Sequence, residues 1–173
     1  MRIKNRIMSA VAGMVLGAGI ALGGGGASAQ DAVYEVKVMT PEMALSLAQA
    51  TLEACRAKGY QVAVAVVDRF GIPQVLLRDR IAGAHTPDTA TRKAWTAVSF
   101  RTDTQDLTGT TGPDSDGYGL RQITNALVLG GGIVVEAQGS VLGGIGVSGA
   151  PGGAMDHECA KEGLESLAME LEF

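Results

Sequence analysis

The chain has 173 residues, 14 basic against 18 acidic groups and a net charge of −4, with aromatic residues at only 4%. A single acidic domain of this size is a poor partner for nucleic acid or anionic membrane, and so few aromatics leave no base-stacking surface. It is long enough to bury a real core.

Residues 1–29 read as a secretory signal peptide. Arg2, Lys4 and Arg6 precede an uncharged apolar run from Ile7 to about Leu22, and Ala27-Ser28-Ala29 closes it as a cleavage site. Removal after Ala29 leaves 144 residues (173 − 29) and 11 basic groups (14 − 3) against 18 acidic, a net charge near −7. No later apolar stretch spans a bilayer unbroken. The expected product is a secreted protein, most simply periplasmic, without membrane insertion. Residues 30–38 form an N-terminal extension, and 39–173 the domain.

Thr40-Pro41-Glu42 opens the first helix: a hydroxyl N-cap, proline at the first position and an acid in the first turn. Met43, Leu47, Ala50 and Ala54 recur at helical spacing, and Gly59 ends it. QVAVAVVD at 61–68 is apolar on both faces, which predicts a central strand covered on both sides. RFGI turns the chain into QVLLRD at 74–79, an antiparallel hairpin.

The second helix is expected over Pro87–Phe100 with Thr86 as N-cap, and 102–126 as irregular chain. Two strands meeting at Gln138-Gly139 follow. On the second of them, Val141, Ile145 and Val147 are expected on one face, with Leu142, Gly144, Gly146 and Ser148 on the other. A closing helix runs from Ala154 to Leu171, with Cys159, Leu164, Leu167 and Leu171 near one face. Hairpins and separated helices make the class α+β.

Several motifs dissolve on inspection. Gly144–Gly149 spells G-x-G-x-x-G, but no strand follows to complete a βαβ unit, so its glycines are assigned to sheet packing. Asp114-Ser115-Asp116-Gly117 lacks the later acid of a calcium loop and reads as a turn. His157 reads as a solvated residue between Asp156 and Glu158. Cys55 and Cys159 read first as two small buried hydrophobes; a bridge between the first and last helices is the alternative that an oxidising compartment permits.

That leaves GAHTPDTATRKAWTA at 83–97. His85 stands just ahead of a helix start, where an exposed imidazole can offer a ring nitrogen to a metal, and Arg92 and Lys93 lie within reach of carboxylates. An acid–base pair of His85 with Asp88 would make a minor enzyme, although Asp88 is also the ordinary first-turn acid.

VAVVDRFG, the A-x-x-K-A-x-T-A of Ala90–Ala97, and Gly143–Gly149 together resemble the GlcG/HbpS family of haem-binding proteins, related to the C-terminal domain of PduO-type proteins. The likeness runs from about Met39 to Leu171. It implies a profilin- or PAS-like three-layer α-β-α sandwich with an antiparallel sheet of about five strands. It also implies assembly into homo-oligomers, octamers among them. As function it implies an exported haem-binding protein for storage, buffering or redox sensing. The residues assigned to haem are His85, Thr86, Thr89, Arg92 and Lys93, with His85 as first choice for the iron, Thr86 as second, and Arg92 and Lys93 toward the propionates. A sensory or carrier module for a small metabolite is the alternative, and the domain is read as non-catalytic or only weakly catalytic.

Overall fold

The structure, a computed structural model, describes residues 33–171; the signal-peptide segment lies outside them. The elements are α1 (Pro41–Ala57), β1 (Ala63–Asp68), β2 (Pro73–Arg78), α2 (Thr86–Phe100), α3 (Thr104–Thr110), a 3-10 turn (Asp116–Gln122), β3 (Gly132–Ala137), β4 (Ser140–Ser148), α4 (Gly153–Glu165) and α5 (Ala168–Leu171). All pairings are antiparallel, in the order β2-β1-β4-β3, with α1 and α4 on one face and α2 on the other. The α+β sandwich is as expected, but the sheet has four strands among the described residues, not about five.

β1 is the two-sided strand that its sequence demands. Val62, Val64 and Val66 enter the main core with Leu47, Ala48, Cys55, Ile145 and Val147, while Ala63 and Ala65 meet Ala90 of α2. Thr40 caps α1 through its hydroxyl to Met43 N (3.2 Å). The buried face of α1 is Ala44, Leu47, Ala48, Thr51 and Cys55; Met43, Ala50 and Ala54 ride its half-buried flank, so the stripe is rotated from the expected one.

A bulge in β4 corrects the expected side-chain alternation. Val135 pairs with Gly143 but Glu136 with Val141, so Leu142 is the extra residue. Leu142 therefore joins Ile145 and Val147 in the main core, and Val141 crosses to pack beside Val67, Ala94 and Val98. The hairpin closes through Gln138 (φ 51°) and Gly139 (φ 70°), two successive left-handed residues that suit a two-residue turn.

Four further expectations change. The 102–126 stretch holds α3 and the 3-10 turn; Asp103 anchors it by accepting Val134 N (2.9 Å), and burial raises the pKa of its carboxyl. The closing helix breaks after Glu165, giving α4 and the single turn of α5. Cys55 and Cys159 form a disulfide, Cα–Cα 5.2 Å, that joins α1 to α4 inside the core. His157 is half-buried rather than solvated, its Nδ1 enclosed without a hydrogen-bond partner among the described residues.

The glycines of β4 set the height of α2. A Cβ on Gly146 would collide with the Ala90 carbonyl, and one on Gly144 would lie 2.8 Å from the Ala94 carbonyl oxygen. Gly146→Ala is therefore expected to lift α2 and cost about 1–3 kcal/mol in urea unfolding, the range for an overpacked core. Gly109→Ala, in α3 where a Cβ meets nothing within 4 Å, should be neutral or slightly stabilising.

Candidate functional site

α2 begins one residue earlier than expected. Thr86 is its first helical residue, not its N-cap; its hydroxyl donates to the Gly83 carbonyl (2.8 Å) and it is buried. His85 occupies the cap position in a helical conformation (φ −78°, ψ −22°), and its side chain makes no capping bond. Pro87 follows at the second helical position, where a missing N–H costs nothing. The His85 ring is exposed, takes no hydrogen bond among the described residues, and lies across Gly83. A Cβ at Gly83 would sit 2.7 Å from His85 Cε1 and 2.9 Å from Nδ1, so only glycine leaves the ring in this place.

The start of α2 opens onto a cavity of about 610 Å³, a size that suits a small organic ligand or cofactor. His85, Thr86, Thr89, Arg92 and Lys93 all line it. Reasoning from sequence missed its other half: Leu127 and Leu129, Ser148 at the end of β4, the Gly149–Gly153 turn, and Asp156 on α4.

The five residues do not play equal parts. Thr89 Oγ1 donates to the His85 carbonyl (2.9 Å) and so braces the helix start. Half-exposed Arg92 donates to the carbonyls of Asn125 (3.4 Å) and Ala126 (3.1 Å), leaving Nη1 3.9 Å from Asp88. Lys93 corrects the expectation that it faces ligand carboxylates. It is fully buried, its ammonium donating to Asp156 Oδ2 (2.7 Å) and to the Val147 carbonyl (2.9 Å).

Asp156 is equally committed. Besides Lys93 it accepts Ala150 N (2.9 Å) and Gly149 N, so one carboxylate pins the turn between β4 and α4. Burial drives both partners toward their neutral forms, Lys93 downward and Asp156 upward in pKa, and their mutual contact opposes that drive. The two charges cancel inside the wall. Among the described residues Arg92 remains the one lining cation not matched by a buried acid, and Asp88 stands exposed beside it.

Among the described residues no helix is long and apolar enough to cross a membrane.

The family model described as "Haem degrading protein HbpS-like" matches residues 39–165. A double-mutant HbpS from Streptomyces reticuli superposes with a TM-score of 0.75 at 34% identity, covering 94% of this chain and 99% of that one. A crystal structure described as a PduOC–haem complex gives 0.71 at 27% identity, covering 75% and 94%. The corrinoid adenosyltransferase PduO of Citrobacter freundii is 38% identical over 117 residues, which are 63% of this chain but 35% of the enzyme. The chain thus spans about a third of that curated relative's length.

Removing the lysine should expose what the pair does. Lys93→Met would leave Asp156 buried and uncompensated, and is expected to cost about 3–5 kcal/mol in urea unfolding at pH 7. A loss under 1 kcal/mol would mean that the carboxyl is already neutral there.

Proposed function

The chain belongs to the HbpS-like family, and from that premise we propose that it is an exported haem-binding protein with His85 as the iron ligand. One observation carries the reading. An exposed imidazole with no hydrogen bond among the described residues lines a cavity in which Leu127, Leu129, Ala150 and Pro151 stand opposite the polar start of α2.

The residues present suit the group. Leu127, Leu129, Ala150 and Pro151 offer apolar surface to a flat macrocycle, Gly83 leaves room for the ring of His85, and Arg92 supplies a cation for a propionate. Thr86 is the poorer ligand, because it is buried and its hydroxyl is turned to the Gly83 carbonyl. Lys93 holds the wall and does not reach toward the ligand. Bound haem would supply a redox-active iron.

The proposal includes periplasmic residence, a homo-oligomeric state and a role in storing, buffering or sensing haem. The structure described as a PduOC–haem complex supports the ligand, and the family description raises degradation as a further fate. The adenosyltransferase activity of full-length PduO is not part of the proposal.

Titration with hemin tests the site. The wild-type protein should give a stoichiometric Soret shift, and His85→Ala should lose it or weaken affinity by about tenfold or more with unchanged melting. Thr86→Ala should keep the wild-type spectrum. A His85→Ala spectrum identical to wild type would refute the assignment, and a Soret band that bleaches under reductant and oxygen would add degradation.

A further inference from the structure

The cavity has a second end, at the start of α4, which the haem-iron reading leaves unused. There the turn from β4 delivers Gly152 as the residue before the helix, extended (φ −164°, ψ 162°) and without any side chain to cap it. The N–H groups of Gly153 and Ala154 have no partner within a helix that begins at Gly153. α2 offers much less. Thr86 N is already bonded to the Gly83 carbonyl, Pro87 has no N–H, and Thr89 N is bonded to the His85 carbonyl.

A second observation points the same way. Ser148 is 4% exposed and lines the cavity, yet its hydroxyl has no hydrogen-bond partner among the described residues. Its oxygen is not one of the sealed unpaired atoms, which among the described residues sit on Thr51, Gln74 and His157, so it stays open to the cavity it lines. Ser148 continues the β4 face of Gly144 and Gly146, so it lies toward the start of α2, next to the turn that leads into α4. Asp156 does not oppose an anion here, because Lys93 neutralises it inside the wall.

We infer that Ser148 and the uncapped N-terminus of α4 form a carboxylate-binding subsite within the cavity. The hydroxyl and the free N–H groups donate to the carboxylate, and the positive end of a 13-residue helix faces it. Two sources share this chemistry: a haem propionate, in which case the inference rests on the haem reading, or a free small organic acid, in which case it does not.

Gly152→Asp is the informative substitution. A Cβ there meets nothing within 4 Å, the backbone is already in the conformation that a capping residue uses, and the new carboxylate would cap α4 in place of the ligand's. The variant should melt higher than wild type and lose the subsite. Hemin, its dimethyl ester and succinate are each titrated into wild type, Ser148→Ala and Gly152→Asp, following the Soret band for the porphyrins and melting temperature for succinate.

A propionate source predicts that wild type prefers hemin to the ester by about tenfold or more, with the preference reduced by Ser148→Ala and abolished by Gly152→Asp. A free-acid source predicts that succinate protects wild type but not Gly152→Asp, whether or not hemin binds. Succinate protection without hemin binding would uphold the subsite and remove the haem reading. Equal preferences in all three proteins with no succinate protection, or no response to any probe, overturn the subsite. Should Ser148→Ala fail to fold, Gly152→Asp decides alone.

Discussion

The buried contact between Lys93 and Asp156 is the constraint from which the cavity follows. Lys93 belongs to α2, on one face of the sheet, and Asp156 to α4, on the other; they meet at the end of β4 where Val147 supplies the third partner. A lysine so placed cannot be left alone, because desolvating an unpaired ammonium costs several kcal/mol. Its partner must therefore come from the turn region after β4, and Asp156 fixes that turn by accepting Ala150 N and Gly149 N as well. Net stability is not the main consequence, since pairs of this kind roughly offset their own desolvation. The consequence is position: the pair ties α2 to the first turn of α4 across the end of β4, on opposite sides of one hollow.

Lys93 reaches that depth only because the sheet lets α2 come close. Gly144 and Gly146 bring the Ala94 and Ala90 carbonyls down onto β4, and the small residues Ala90, Ala94 and Ala97 complete the approach from the helix side. The bulge at Leu142 marks where this ends. Beyond it Val141, not a glycine, faces α2 beside Val98. The glycine-rich stretch is thus a packing device, and its resemblance to a dinucleotide fingerprint comes from the same property of glycine used for another purpose.

Much of this was legible in the sequence. The two-sided apolar run of β1, the Thr40-Pro41-Glu42 helix start and the turn at Gln138-Gly139 each carry a local physical signature, and each appears where expected. The residues around His85 line one cavity because they are neighbours on one helix start. Most of what failed depends on contacts far apart in the chain. Lys93 and Asp156 are 63 residues apart, and nothing local in the sequence pairs them. The Cys55–Cys159 bridge spans 104 residues, with no local cue that separates a pair from two buried thiols. Thr86 was misplaced as a cap because its hydroxyl satisfies Gly83 behind it instead of the helix ahead.

The cavity was hard to read for a deeper reason. Its wall on the α4 side runs through Gly149, Ala150, Pro151, Gly152 and Gly153, so what it presents is largely main chain. Main-chain donors leave no residue type to search for; a run of small residues advertises a turn, and the same run serves packing, turning or binding. Only placement separates these uses, and here placement is set by Asp156 gripping the turn while Lys93 ties Asp156 to the Val147 carbonyl of β4. It follows that two relatives can share the HbpS-like scaffold and differ in ligand without a change in any residue that looks catalytic. A different grip on this turn would re-aim the same N–H groups, and the hollow would select for a different partner on unchanged helices.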